Sequence, residues 1–181
     1  TLSLHDALPI SAEEVEDGIH LHRVAPQGDS NDFIHWVQLL NEAMRVGADS
    51  LIPDLLSESP DEPILLHPHD WLAHFAAAAL KHKYHLPIVA TIHATERGRN
   101  NGIKGPTQEY ISSVEWQLQN EAWRVIVCTE FMKRECQSAL HTPWDKMDVI
   151  YNGVDTAKFV LPDFNADEKA AFRAQFAAPE E

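Results

Sequence analysis

Short apolar runs at 63–67, 87–92, 124–128 and 148–151 alternate with longer stretches of helical period, and this alternation restricts the fold more than any other feature. Each run is too short for a helix, and the last three are rich in β-branched residues, so all four are read as strands buried in a sheet. Between them, Trp71, Leu72, Phe75, Ala76, Ala79 and Leu80 follow a helical spacing, as do Ile111, Val114, Leu118 and Ala122. Met132, Cys136 and Leu140 form a third stripe. Asp70 and Thr129 stand where N-caps belong, and Lys81, His82 and Lys83 suit the negative end of a helix. Strand–helix alternation at this spacing predicts an α/β fold, a Rossmann-like parallel sheet with helices on both faces and right-handed crossovers.

The N-terminal third is less regular. Phe33, Trp36, Val37, Leu40 and Met44 predict an amphipathic helix started by Asn31 or Asp32 and ended near Gly47. Residues 57–63 are acidic, contain two prolines and read as a surface turn. Residues 19–24 alternate apolar and polar, which predicts a half-buried strand with His20 and His22 on its polar face. The acidic run 13–17 is expected to be a solvated loop or the approach to that strand. Residues 1–10 fit poorly with the rest and read as translated read-through, so 1–18 are set aside as a leader. Residues 19–160 form the expected domain, and 161–181 an amphipathic linker helix.

Net charge is −14, with twice as many acidic as basic residues (28 against 14), so the basic footprint of a nucleic-acid binder is absent. No run approaches the roughly 20 apolar residues of a membrane span. The two cysteines, Cys128 and Cys136, are too few for a disulfide scaffold, lack zinc-type pairing and are read as packing thiols. A cytoplasmic location is the expectation.

Chemistry concentrates at two neighbouring strand ends. His67, Pro68, His69, Asp70 and Trp71 follow one run, and His93, Glu96 and Arg97 follow the next. Ligands of open parallel sheets bind beyond the carboxyl ends of the strands. Alternation places His67 and His69 on one side, and Pro68 keeps His67 extended. Asp70 is expected both to face the crevice and to cap the helix that follows. Arg97 and Arg99 lie in a polar loop, 93–105, longer than a connection needs, which suits a sugar or polyanion pocket. The bland alternative is a loop of solvated charges. His-x-His followed by Asp also raises a metal-dependent hydrolase, but Asp70 directly follows His69, which breaks the spacing such sites use. No Gly-rich phosphate cradle occurs, so a nucleotide would have to be held mainly from outside this chain.

In order, His67-x-His69-Asp70-Trp71, the run Thr91 to Arg97, the strand ending at Cys128-Thr129, and Val149 to Asp155 with Phe159 together resemble a known family. They are similar to the N-terminal half of family 4 retaining glycosyltransferases of the glycogen/starch synthase type. The resemblance covers roughly residues 19–176. It implies half of a GT-B fold whose first strand and glycine-rich loop are missing, and a second, nucleotide-sugar domain absent from this sequence. The chain is then expected to be an interior fragment, inactive alone.

The resemblance also implies roles. Asp70 and His93 match cleft residues of the family, His93 contacting the 6-hydroxyl of the transferred sugar. His67, His69 and Trp71 complete the first motif, and Glu96 and Arg97 would line the acceptor side. The partners implied are a UDP- or ADP-sugar donor and a glucan or other sugar acceptor, with no metal and no further cofactor. The reaction implied is hexosyl transfer to a hydroxyl with retention of configuration. A non-catalytic carbohydrate-binding module and, more remotely, a sugar-nucleotide epimerase share the fold and stay open here.

Overall fold

A computed structural model of the chain describes residues 12–30, 32–58, 60–158 and 165–176. The chain divides into two units, Thr1–Tyr151 and Asn152–Glu181. The first unit carries a mixed α/β architecture. Strands β1 (Glu13–Glu16) and β2 (Ile19–His22) pair as an antiparallel hairpin. Helices α1 (Phe33–Glu58) and α2 (His74–Tyr84) precede β3 (Val89–Ile92). The short α3 (Glu96–Arg99) and the long α4 (Pro106–Glu121) lead to β4 (Arg124–Val127). Helix α5 (Glu130–Leu140) then leads to β5 (Met147–Val149). Strands β3, β4 and β5 form a parallel sheet in chain order, with Val89 opposite Arg124 and Val125 opposite Met147. The Rossmann-like expectation holds.

The core forms where the apolar periodicities converge. Ala90, Ile92, Val125, Val127 and Met147 of the sheet pack with Ala77 of α2, Leu118 of α4 and Cys136 of α5. A second cluster joins Val37, Trp71, Ile111 and Val114, and a third joins Ile52, Leu80 and Leu86. Fully burying a side chain of the Ile, Leu or Val class contributes about 1.5–3 kcal/mol, so these clusters dominate the stability of the unit. Thr129 caps α5 as expected, accepting the Met132 amide at 3.1 Å. Among the described residues, no helix is long and apolar enough to cross a membrane.

Four local expectations are corrected. Residues 13–16 form a strand, not a loop, because Asp17 and Gly18 both take positive φ, 50° and 82°, as a tight hairpin turn requires. Its partner β2 therefore belongs to an exposed hairpin rather than a half-buried sheet strand, and Ile19 lies open to solvent. Helix α1 runs past Gly47 to Glu58, through 57 and 58, which were expected in a turn. Gly47 is not a cap: a Cβ there would meet Val24 Cγ1 at 2.8 Å, so the position permits a close approach. Pro53, inside the helix, cannot donate to the Asp49 carbonyl, and the Tyr84 hydroxyl reaches that oxygen at 3.3 Å instead. Asp32 starts α1, its carboxylate accepting the Ile34 amide at 2.9 Å, while Asn31 lies outside the described residues.

The run 63–67 is not a regular central strand. It lies beside β3 through isolated parallel bridges, Leu66 to Ile88 and His69 to Thr91. Leu66 N–H donates to Pro87 O, Val89 N–H to Leu66 O, Thr91 N–H to Pro68 O and Asp70 N–H to Thr91 O, at 2.9–3.0 Å. Pro68 has no N–H to contribute, which interrupts the ladder midway.

The second unit contains α6 (Ala166–Arg173). Asn165 and Glu168 form a reciprocal capping box at its start. It is the described part of the amphipathic linker helix expected at 161–181; residues 159–164, Phe159 among them, and 177–181 lie outside the described residues.

Candidate functional site

Three consecutive parallel strand ends place five polar side chains together. The bridged stretch contributes His67, His69 and Asp70, the end of β3 contributes His93, and the end of β4 contributes Cys128. The rings of His67 and His69 lie 4.5 Å apart, and those of His69 and His93 lie 5.2 Å apart and nearly parallel. His67 Nε2 meets the Thr91 hydroxyl at 2.8 Å. His69 Nδ1 meets His93 Nε2 at 2.9 Å, and Cys128 Sγ lies 3.6 Å from His93 Nδ1. A bond between two ring nitrogens needs one N–H and one bare lone pair, so the His69–His93 contact holds a single proton between them. All three rings are exposed on one edge and present a row of imidazoles to solvent.

Asp70 anchors the His93 end of this row. Its Oδ1 accepts the His93 backbone N–H at 2.8 Å. The carboxylate thus extends the ladder where the backbone turns away, and it aligns His93 directly. The expected N-cap role is overturned, since Asp70 makes no side-chain cap bond to the turn Trp71–Ala73. The start of α2 is served from elsewhere. Asn41 Oδ1 of α1 accepts the Ala76 N–H at 2.9 Å, while its amide donates to Val37 O and Leu72 O. Relieved of capping, Asp70 sits at φ 58° and ψ 176°, a region that residues other than glycine enter at a cost of about 1–3 kcal/mol. Such strain concentrates at functional sites.

The remaining candidates fall elsewhere. Trp71 is only 3% exposed and packs with Val37, Ile111 and Val114 as a core residue. Glu96 is buried, its carboxylate accepting from Asn100 at 2.7 Å and Arg99 at 3.3 Å, which closes its own loop. Arg97 is exposed and lines a separate groove between the loop after β3 and α5. The polar loop expected at 93–105 contains α3, capped by Thr95 through the Gly98 amide at 2.9 Å.

Electrostatics sharpen the contrast between rim and interior. Partial burial, then repulsion from His69 and His93, holds the His67 imidazole below its ordinary range. Beneath the loop, Glu115 accepts the Glu96 backbone N–H at 2.7 Å, and its second oxygen has no hydrogen-bond partner. Burial pushes the Glu115 carboxyl up to about 7. Among the described residues, no three His, Cys, Asp or Glu side chains are arranged to hold a metal ion. Burial raises the Cys136 thiol to about 12, as expected of a packing thiol. Cys128 departs from that expectation by touching His93. Its position directly after a buried strand was the available signal, the same one that singled out His93.

Comparison with known proteins points to one family. Residues 12–158 match the model of Glycosyltransferase Family 4. Over 157 residues the chain is 32% identical to an uncharacterised glycosyltransferase of Methanocaldococcus jannaschii, covering 87% of this chain and 38% of that protein. It is 31% identical over 154 residues to the glycogen synthase of Mycobacterium tuberculosis, covering 82% of this chain and 37% of the relative. A D-inositol 3-phosphate glycosyltransferase of Mycolicibacterium gilvum is 30% identical over 126 residues, covering 66% and 27%. The chain therefore spans less than two fifths of the length of these relatives. With the match running through the hairpin, the parallel sheet and every residue of the histidine row, the chain belongs to Glycosyltransferase Family 4.

Proposed function

We propose that this chain is the acceptor-side, N-terminal domain of a retaining hexosyltransferase. Its donor is a nucleoside-diphosphate sugar, UDP- or ADP-linked, and its acceptor is a sugar hydroxyl. The observation that carries this reading is the bond from the His93 amide to the Asp70 carboxylate, which fixes His93 beside His69 on one strand-end face. Glycosyl transfer builds charge on the departing diphosphate and on an oxocarbenium-like ring. Alignment and charge stabilisation are then the protein's main tasks. His93 positions the transferred sugar through its imidazole rather than acting as a base, and His69 orients that imidazole. Asp70 fixes the backbone from which His93 projects. The sequence holds no glycine-rich phosphate motif, so the donor's phosphates are assigned to a second domain and the chain alone is proposed to be inactive.

Names among the relatives span glycogen and D-inositol 3-phosphate, so a glucan and a smaller acceptor both fit the family. The proposed place of action is the cytoplasm. The test uses the longer protein that contains this chain, supplied with UDP- or ADP-glucose and maltooligosaccharides. Proton NMR of the product is expected to show the α-linkage of the donor retained. An inverted linkage, or hydrolysis of the donor without transfer to any acceptor, would overturn the reading.

A further inference from the structure

We propose that the groove between the loop after β3 and α5 binds a sugar bearing a phosphate or carboxylate, its anion held by Arg97 and Arg134 and its ring set against Phe131. The groove has a volume of about 560 Å³. Phe131, Arg134, Glu135 and Ser138 recur at i, i+3, i+4 and i+7, so one face of α5 forms one wall. Arg97, Gly98 and Asn101 form the other.

The walls are locked together before any ligand arrives. Glu135 accepts the Thr95 hydroxyl at 2.5 Å, and the same hydroxyl oxygen accepts the Gly98 amide at 2.9 Å. Gly98 lies so close to the Glu135 carboxylate that a Cβ would overlap it. That glycine is therefore needed for contact between the walls, and Glu135 joins them through the Thr95 hydroxyl.

Charge pairing points to the ligand. Of the seven arginines, Arg23, Arg45, Arg99 and Arg124 each sit on a carboxylate, and Arg173 belongs to the second unit. Arg97 and Arg134 are the two that remain. Both are exposed, both line this groove, and neither has a carboxylate partner among the described residues. In a chain with twice as many acids as bases, two guanidiniums against the single Glu135 carboxylate leave this groove with a positive excess. The guanidinium fork matches phosphate and carboxylate oxygens. Phe131 is 64% exposed in the same groove, an aromatic face suited to the C–H face of a sugar ring.

The groove adjoins the histidine row through both strand ends. Arg97 follows His93 by four residues, and Phe131 follows by three the Cys128 whose thiol touches His93. Calling the bound sugar an acceptor rests on the glycosyl-transfer reading; the binding itself does not.

The test is an NMR titration of the chain with glucose 6-phosphate, glucuronate, inorganic phosphate and glucose. Saturable shifts of the Gly98, Asn101 and Ser138 amides are expected with glucose 6-phosphate or glucuronate, and the tighter of the two identifies the anion. Inorganic phosphate should bind more weakly, and glucose should produce no shift. Arg97→Ala and Arg134→Ala should each weaken binding about tenfold, the loss of one charge-assisted contact. Both side chains are exposed, so unchanged circular dichroism is expected to accompany the loss. Wild-type affinity in the double variant, equal binding of glucose, equal binding of inorganic phosphate, or no saturable shift would overturn the proposal. In the longer protein, unaltered transfer to a phosphorylated acceptor by R97A/R134A would overturn the groove and leave transfer standing. Arginine-dependent binding without any transfer would do the reverse.

Discussion

The arrangement at Asp70 is costly at the level of one residue and is held in place by two bonds. Its amide donates to Thr91 O at 2.9 Å and its carboxylate accepts from His93 N at 2.8 Å. Asp70→Asn keeps an acceptor oxygen and Asp70→Ala removes it, so the alanine variant should be less stable than the asparagine variant by about 1–2 kcal/mol in urea denaturation. The His93 amide resonance should move further in the alanine variant than in the asparagine variant. Glu115 gives a separate, pH-dependent prediction. The folded chain holds this carboxyl up at about 7, against an ordinary value of 4.5. Between those values the folded state binds the proton and the unfolded chain does not. The contribution of Glu115 to stability is thus complete below pH 4.5 and is lost as pH rises through 7. The groups facing it are Glu96, Arg99 and Asp70. Glu115→Gln keeps an oxygen for the Glu96 amide and removes the titration. Its stability relative to the native chain should rise as pH climbs through that window; a constant difference would contradict the assignment.

Among the elements, the join between α1 and α2 is the most exposed to single changes. Asn41 alone satisfies the Leu72 carbonyl and the Ala76 amide across that join. Asn41→Leu should therefore cost about 2–4 kcal/mol, as expected when buried polar groups lose their partners. Thr129→Ala, which removes only a local cap from α5, should cost about 1 kcal/mol in the same assay. This difference also separates what could be read in the sequence from what could not. Strands β3 and β4 and the Thr129 cap depend on neighbours within a few residues, so periodicity and residue type expose them. Asp17-Gly18 is an equally local hairpin signal, masked by acidic neighbours that resemble a solvated loop. Gly47 reads as a helix end, yet its absent side chain makes room for Val24 from a distant segment. Asp70 reads as a cap because a cap and a cross-strand acceptor need the same short carboxylate. Only the presence of Asn41, on another helix, shows which role it takes.

For the whole molecule, the parallel sheet gathers side chains that are distant in sequence onto one edge. His67, His69, His93 and Cys128 span more than a third of the chain and meet within hydrogen-bonding or ring-contact distance. Trp71 and Glu96 show the limit of reading a motif as a unit. They lie within the same two stretches of sequence, yet one packs in the core and the other closes its own loop. In the proposed reaction the His93 imidazole, held by Asp70, aligns a sugar for transfer. The turnover of His93→Ala in the full-length protein, with a nucleotide sugar and its acceptor saturating, decides this. A fall in kcat of about 100-fold or more, the scale seen when one preorganised contact to the reacting group is removed, is the predicted result, with unchanged thermal stability. Turnover equal to that of the native enzyme would contradict the account.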